Sequence, residues 1–192
     1  MSLIVVGTVA FDKISTPFGK SEKVVGGAAT YISLASSKFT KKTKLVSVIG
    51  DDFPSETINE FKSRSIDLEG LQIKAGEKSF FWEGAYHYDM NTRDTLDTQL
   101  NVLADFDPVL PESYKDCEFL MLGNLSPEVQ LNVLEQLEKR PKLVVLDTMN
   151  FWMDNSMDKL CEVISKVDVL AINDEEARQL SGEYSLVKGA RK

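Results

Sequence analysis

The stretch Val24-Val25-Gly26-Gly27-Ala28-Ala29-Thr30 carries a chain out of a strand and into a helix. Two β-branched residues favour an extended backbone, and the alanines after them favour a helix. The glycines between remove side chains from the turn, so a bound molecule can approach the backbone. The first N–H groups of a helix have no partner inside it and face whatever occupies that end. The turn reads either as a tight connection without a ligand or as the floor of a polar small-molecule site. Its surroundings decide.

Upstream, residues 3–7 form a short apolar run, the pattern of a strand buried on both faces of a parallel sheet. Residues 12–23 turn polar around Pro17 and Gly19, which predicts a hairpin leaving the core. Downstream, Ala28, Ile32, Ala35 and Phe39 fall at helical spacing and predict the apolar face of a helix. Residues 45–49 give a second buried strand, ending at Gly50-Asp51-Asp52, and Pro54 sits in the first turn of a helix that points Ile58 and Phe61 inward.

Residues 70–101 break this rhythm. Segments 78–88 and 93–100 are rich in β-formers and predict antiparallel strands. With the hairpin they outline a small projecting β lid, assigned to residues 12–25 and 72–101.

Beyond Pro111 strand and helix alternate again. Residues 119–122, 143–146 and 167–172 read as strands. Ser126-Pro127, the pattern Met157, Leu160, Cys161 and Ile164, and the run from Asn173 to Gly182 read as helices. This alternation predicts an α/β fold, a doubly wound Rossmann-like parallel sheet with the lid as an appendage, in one domain over residues 1–192. Residues 185–192 read as a helix that stops as it starts, so the expectation is a C-terminally truncated domain.

The chain carries 22 basic against 30 acidic residues, a formal charge of -8, which argues against a nucleic-acid partner. The N-terminal apolar run is too short for a signal peptide or membrane span, and Cys117 and Cys161 show no metal or disulfide spacing. A reducing, cytoplasmic setting with no membrane partner is expected.

Gly7-Thr8-Val9-Ala10 lacks the further glycines of a dinucleotide fingerprint, and Gly19-Lys20-Ser21 lacks the first glycine of a P-loop. Asp12 lies just past the first strand, where open α/β sheets collect ligands, and reads as a turn residue or as the acceptor for two hydroxyls of a polyol. Asn173-x-x-Glu176 opens a helix with three acids. These suit the helix dipole, and they also suit a hydrated Mg²⁺. Asp147, at another strand end, caps the next helix or adds to that charge. The lone His87 has no nucleophile motif beside it and reads as a surface or lid residue. Phe80, Phe81, Trp82 and Tyr86 form an aromatic strand segment suited to a core, to an interface or to a substrate.

In this order, Asp12 after Gly7-Thr8, Gly26-Gly27 before a helix, Val48-Ile49-Gly50-Asp51-Asp52, Asp147, and Asn173-x-x-Glu176 before Leu180-Ser181-Gly182 resemble the ribokinase-like, or PfkB, family of carbohydrate kinases. The resemblance implies phosphoryl transfer from ATP, with Mg²⁺, to a sugar or nucleoside hydroxyl. It places substrate binding at Asp12, Gly26, Gly27 and Thr30, and metal and phosphate handling at Asn173 and Glu176. Thr30 stands where many members carry Asn, and Asp147-Thr148-Met149-Asn150-Phe151-Trp152 lacks the Arg of the family's Asp-x-Asn-x-Arg run. No Gly-Ala-Gly-Asp motif, which supplies the family's catalytic base and anion-binding helix, follows Asn173. The expectation is the substrate side of a kinase, inactive as this chain alone. The alternative is a non-catalytic ligand-binding or regulatory protein of the same fold, and a homodimer through the lid fits either.

Overall fold

The computed structural model describes residues 2–192. Its centre is a six-stranded sheet built from β1 (Leu3–Val6), β4 (Thr43–Gly50), β5 (Ile66–Lys74), β8 (Phe119–Leu122), β9 (Leu143–Asp147) and β10 (Val169–Ala171), in the order β10-β9-β8-β1-β4-β5. Every neighbouring pair in it is parallel. Helices cover both faces, which is why β1 and β4 read as unbroken apolar runs. Alternation along β1 sorts the two layers. Ile4 and Val6 pack with Leu120, Leu146, Val133 and Leu160 on one face, and Val5 packs with Leu45, Ile49, Ala29 and Phe61 on the other. The first layer is closed by α3 (Pro127–Glu135) and α5 (Met157–Ile164), the second by α1 (Ala28–Ser36) and α2 (Ser55–Ser63).

From β1 the chain steps outward through β4 and β5, then crosses to β8 and steps the other way through β9 and β10. The reversal between β1 and β8 opens a crevice at the carboxyl ends of the strands, the place where such sheets bind ligands. Thr8, Gly123 and Asn173 follow strands at that edge, and Asp147 ends β9 there.

A second, four-stranded sheet has the order β3-β2-β6-β7, from β2 (Ala10–Thr16), β3 (Gly19–Gly26), β6 (Phe81–Tyr86) and β7 (Arg93–Gln99). β2 and β3 form the expected hairpin and β6 pairs antiparallel with β7, while β2 and β6 run parallel. The root of this sheet is tied to the main body. The Gly50 N–H donates to Ser79 Oγ at 3.0 Å, and the Ser79 N–H and hydroxyl donate to Asp52 Oδ1 at 2.8 and 2.7 Å. Lys23, at the base of β3, reaches Asp52 at 3.2 Å.

Several expectations shift. β5 is an edge strand of the main sheet, so residues 72–74 belong to the body and not to the projecting sheet. It was missed because Asp67, Glu69 and Lys74 interrupt its apolar residues, as an edge strand allows. On α1 the buried residues are Ala29, Thr30 and Ser33, whereas Ala35 is exposed and Phe39, beyond the helix end, is 84% exposed. The small residues face the sheet because β1 and the turn approach the helix closely. Pro54 is the N-cap of α2 and not a first-turn residue. A short helix α4 (Asn150–Asn155) precedes α5, and Cys161 is exposed, with Leu160 and Val163 taking the inward positions. The last segments are α6 (Asp174–Ser181) and the single turn α7 (Leu186–Gly189).

Candidate active site

The Gly26-Gly27 turn connects β3 to α1. Gly27 has φ of +95°, and a methyl group on it would lie 2.4 Å from the Thr8 carbonyl oxygen. Gly26 is needed for a different reason. A methyl group there would lie 1.9 Å from Asp12 Oδ2, so the carboxylate occupies the space a side chain would fill. The Gly27 N–H lies close enough to that carboxylate to favour its charged form. Burial raises the Asp12 pKa above its ordinary value, and the Gly27 N–H only partly offsets this.

The end of α1 is not open. The Ala28 N–H donates to Thr8 Oγ1 at 3.1 Å and the Ala29 N–H to the Thr8 carbonyl at 2.9 Å. The expectation that these N–H groups face a ligand is therefore corrected for Ala28 and Ala29: Thr8, noted in the sequence only as part of the Gly7-Thr8 pair, caps them from just past β1. The Thr30 side chain is turned away as well. Its hydroxyl donates to the Gly26 carbonyl at 2.7 Å and the residue is buried. Beside the turn, the Asp12 carboxyl group remains partly exposed.

A second constellation lies at the ends of β9 and β10. Asn173 caps α6 in a reciprocal box: its side chain accepts the Glu176 N–H at 2.9 Å, and Glu176 Oε2 accepts the Asn173 N–H at 2.9 Å. Such a box satisfies two otherwise orphaned donors. Gly182, at φ of +70°, closes the helix as expected. Glu176 is only 4% exposed, and its charge acts on Asp147. Burial first, and then the Glu176 carboxylate, push the Asp147 pKa to about 6, against the pull of the Asn124 and Thr148 N–H groups.

Sequence reading missed the residues that hold this end together. Buried Gln130 donates from Nε2 to the Gly123 carbonyl at 3.0 Å and the Asp147 carbonyl at 3.3 Å, stitching β8 to β9 where they end. Asn124 accepts from Trp152 Nε1 at 2.8 Å. A glutamine on the inward side of α3 was the available signal. Asn150 bonds Gln179 of α6. His87 lies exposed in the turn after β6, with Asp94 Oδ2 at 2.8 Å.

Among the described residues no group of three or more His, Cys, Asp or Glu side chains is poised to hold a metal ion. Asp147 and Glu176 place two carboxyl groups near enough for the Glu176 charge to raise the Asp147 pKa. None of the described helices is long and apolar enough to cross a membrane.

Known proteins share this fold. A cytidine kinase from Thermococcus kodakarensis is 28% identical over 194 residues, covering 100% of this chain and 68% of that protein. A nucleoside kinase from Methanothermobacter thermautotrophicus is 26% identical over 207 residues, covering 90% of this chain and 66% of that protein. The chain thus spans about two thirds of the length of these curated relatives. The crystal structure of a nucleoside kinase from Methanocaldococcus jannaschii, an archaeal member of the ribokinase family, superposes with a TM-score of 0.74 at 20% identity over 100% of this chain and 68% of that one. The sequence profile of the pfkB family carbohydrate kinases matches residues 5–189, and the chain belongs to that family.

Proposed function

We propose that this chain forms the acceptor side of an ATP-dependent kinase that phosphorylates a hydroxyl of a sugar or nucleoside. The observation that carries the reading is the Asp12 carboxylate, held against Gly26 and the Gly27 N–H at the mouth of the crevice. An ionised carboxylate fixed by its surroundings accepts two hydroxyl hydrogens of a polyol without reorganising, and this pre-organisation is what positions an acceptor. Thr30 acts from beneath, by holding the Gly26 carbonyl.

Asn173 and Glu176 set the phosphate end. The capping box fixes the start of α6, and with Asp147 it makes a negative surface that would hold hydrated Mg²⁺. Bound there, Mg²⁺ would neutralise charge on the ATP phosphates. The sequence holds no Gly-Ala-Gly-Asp motif after Asn173, so we assign neither the base that deprotonates the acceptor nor the anion-binding helix to these 192 residues.

The small sheet serves as the lid over the acceptor, and two free cysteines fit a reducing cytoplasmic setting. At its tip Phe18 and Tyr88, 73% and 80% exposed, meet edge to face at 6.0 Å and offer a surface for a homodimer. A monomeric mass in solution would contradict that assembly.

The test is ATP-dependent phosphate transfer by the whole gene product across a panel of sugars and nucleosides. Transfer to at least one acceptor, lost in D12A, is the expected result. Equal rates in D12A and wild type would contradict the assignment of Asp12.

A further inference from the structure

The Gly26-Gly27 turn and the start of α6 lie far apart in the chain, and a continuous set of contacts joins them. Gly123 packs against the turn: a methyl group on it would lie 3.3 Å from Ala28 Cβ and 3.5 Å from Gly7 Cα. The next residue, Asn124, accepts the Trp152 ring N–H at 2.8 Å and donates to Met149 Sδ at 3.0 Å. Trp152 belongs to α4 and packs against the same core layer as Leu180 of α6.

α4 grips α6 as well. The Asn150 side-chain amide donates to Gln179 Oε1, and Gln179 Nε2 donates to Asp154 Oδ1 at 2.8 Å. Asn150 and Asp154 are four residues apart and share one face of α4. Trp152, two residues from each, projects from the opposite side. One short helix therefore holds Asn124 on one side and Gln179 on the other. Gln179 lies on the helix that opens with the Asn173–Glu176 box.

The sheet gives this end little support of its own. β10, which feeds α6, is an edge strand of three residues paired only with β9. We propose that α4 is the spacer that sets α6 relative to the acceptor turn, with Trp152 and Gln179 as its positioning residues. This inference rests on the reading of α6 as the phosphate end of a kinase. Trp152 acts through Asn124, and Gln179 through the placement of α6. Phosphoryl transfer needs acceptor and phosphate in line. A shift of about 1 Å at α6 can therefore cost up to about a hundredfold in turnover and leave acceptor affinity alone.

W152F keeps a ring in the core and loses only the N–H donor. Q179A alters an exposed side chain, where substitution ordinarily changes little. The experiment is steady-state phosphate transfer from ATP by the whole gene product, for wild type, W152F, Q179A and the double variant. Acceptors are a panel of sugars and nucleosides that includes cytidine and D-ribose. On the acceptor that wild type uses fastest, each single variant should lose at least fivefold in kcat, with acceptor KM within twofold. The two links lie in series, so the double variant should lose no more than the worse single one. Q179E should be slow alone and recover with D154N, which replaces the acceptor facing it by a donor. Unchanged kcat in either single variant, losses that multiply in the double variant, or a matching rise in acceptor KM would overturn the spacer role. Transfer by wild type to no acceptor would overturn the kinase reading itself, and this inference with it.

Discussion

Asp12 and Gly26 occupy one another's space: a methyl group on residue 26 would lie 1.9 Å from Asp12 Oδ2. The glycine is thus a requirement set by a carboxylate fourteen positions earlier in the chain, through the β2–β3 hairpin that pairs Ala10 with Gly26. G26A should displace the carboxylate, cost about 2 kcal/mol of stability, and weaken acceptor binding at least tenfold. Chemical denaturation and calorimetry on the same preparation check both.

The Asp12 carboxylate stabilises binding at the expense of the fold. Its pKa in the folded chain is raised above 3.8 by burial. The folded state therefore holds the proton more tightly than the unfolded chain, and stability contributed by Asp12 falls as pH rises through that window. D12N, which keeps an acceptor for the Gly27 N–H, should melt at or above the wild-type temperature at pH 7.5. The difference should close as pH falls toward 4. Melting curves across that range are the measurement, and a D12N deficit at pH 7.5 would count against it.

Asp147 feels Glu176. Its pKa of about 6 comes from burial first and from the neighbouring carboxylate second. E176Q removes the charge but keeps an oxygen to accept the Asn173 N–H, so the Asp147 pKa should fall part of the way toward its ordinary value while α6 stays capped. Carbon-detected carboxyl titration by NMR reports this directly. N173A removes the cap itself and should cost about 1 kcal/mol.

Asp52 ties the small sheet to the body. Burial alone would raise its pKa, but bonds from Ser79 and Lys23 bring it below the usual value. D52A should leave the main sheet intact and speed amide hydrogen exchange at residues 76–79, where Ser79 loses an acceptor for both its N–H and its hydroxyl. Exchange measured by mass spectrometry would show protection unchanged at β1 and β4.

The alternation of strand and helix was legible because the parallel strands are buried on both faces and read as short apolar runs. β5 was not, since an edge strand tolerates charges that break the run. The caps at Asn173 and Gly182 were legible from local spacing, because a cap satisfies donors and acceptors within one turn. Thr8, Ser79 and Gln130 were not, because each bonds to backbone distant in sequence: Thr8 to Ala28, Ser79 to Gly50, and Gln130 to the carbonyl of Asp147. The face of α1 was misread for a related reason. Apolar spacing points to Ala35 and Phe39, whereas close approach to the sheet selects the small residues Ala29 and Ser33.

The central claim is that Asp12 holds the acceptor, and the most direct measurement is calorimetric titration of wild type and D12N with cytidine at pH 7.5. Loss of the carboxylate charge from a hydroxyl-binding group should weaken binding at least tenfold, with the circular-dichroism spectrum unchanged. Equal affinity in the two proteins would contradict it.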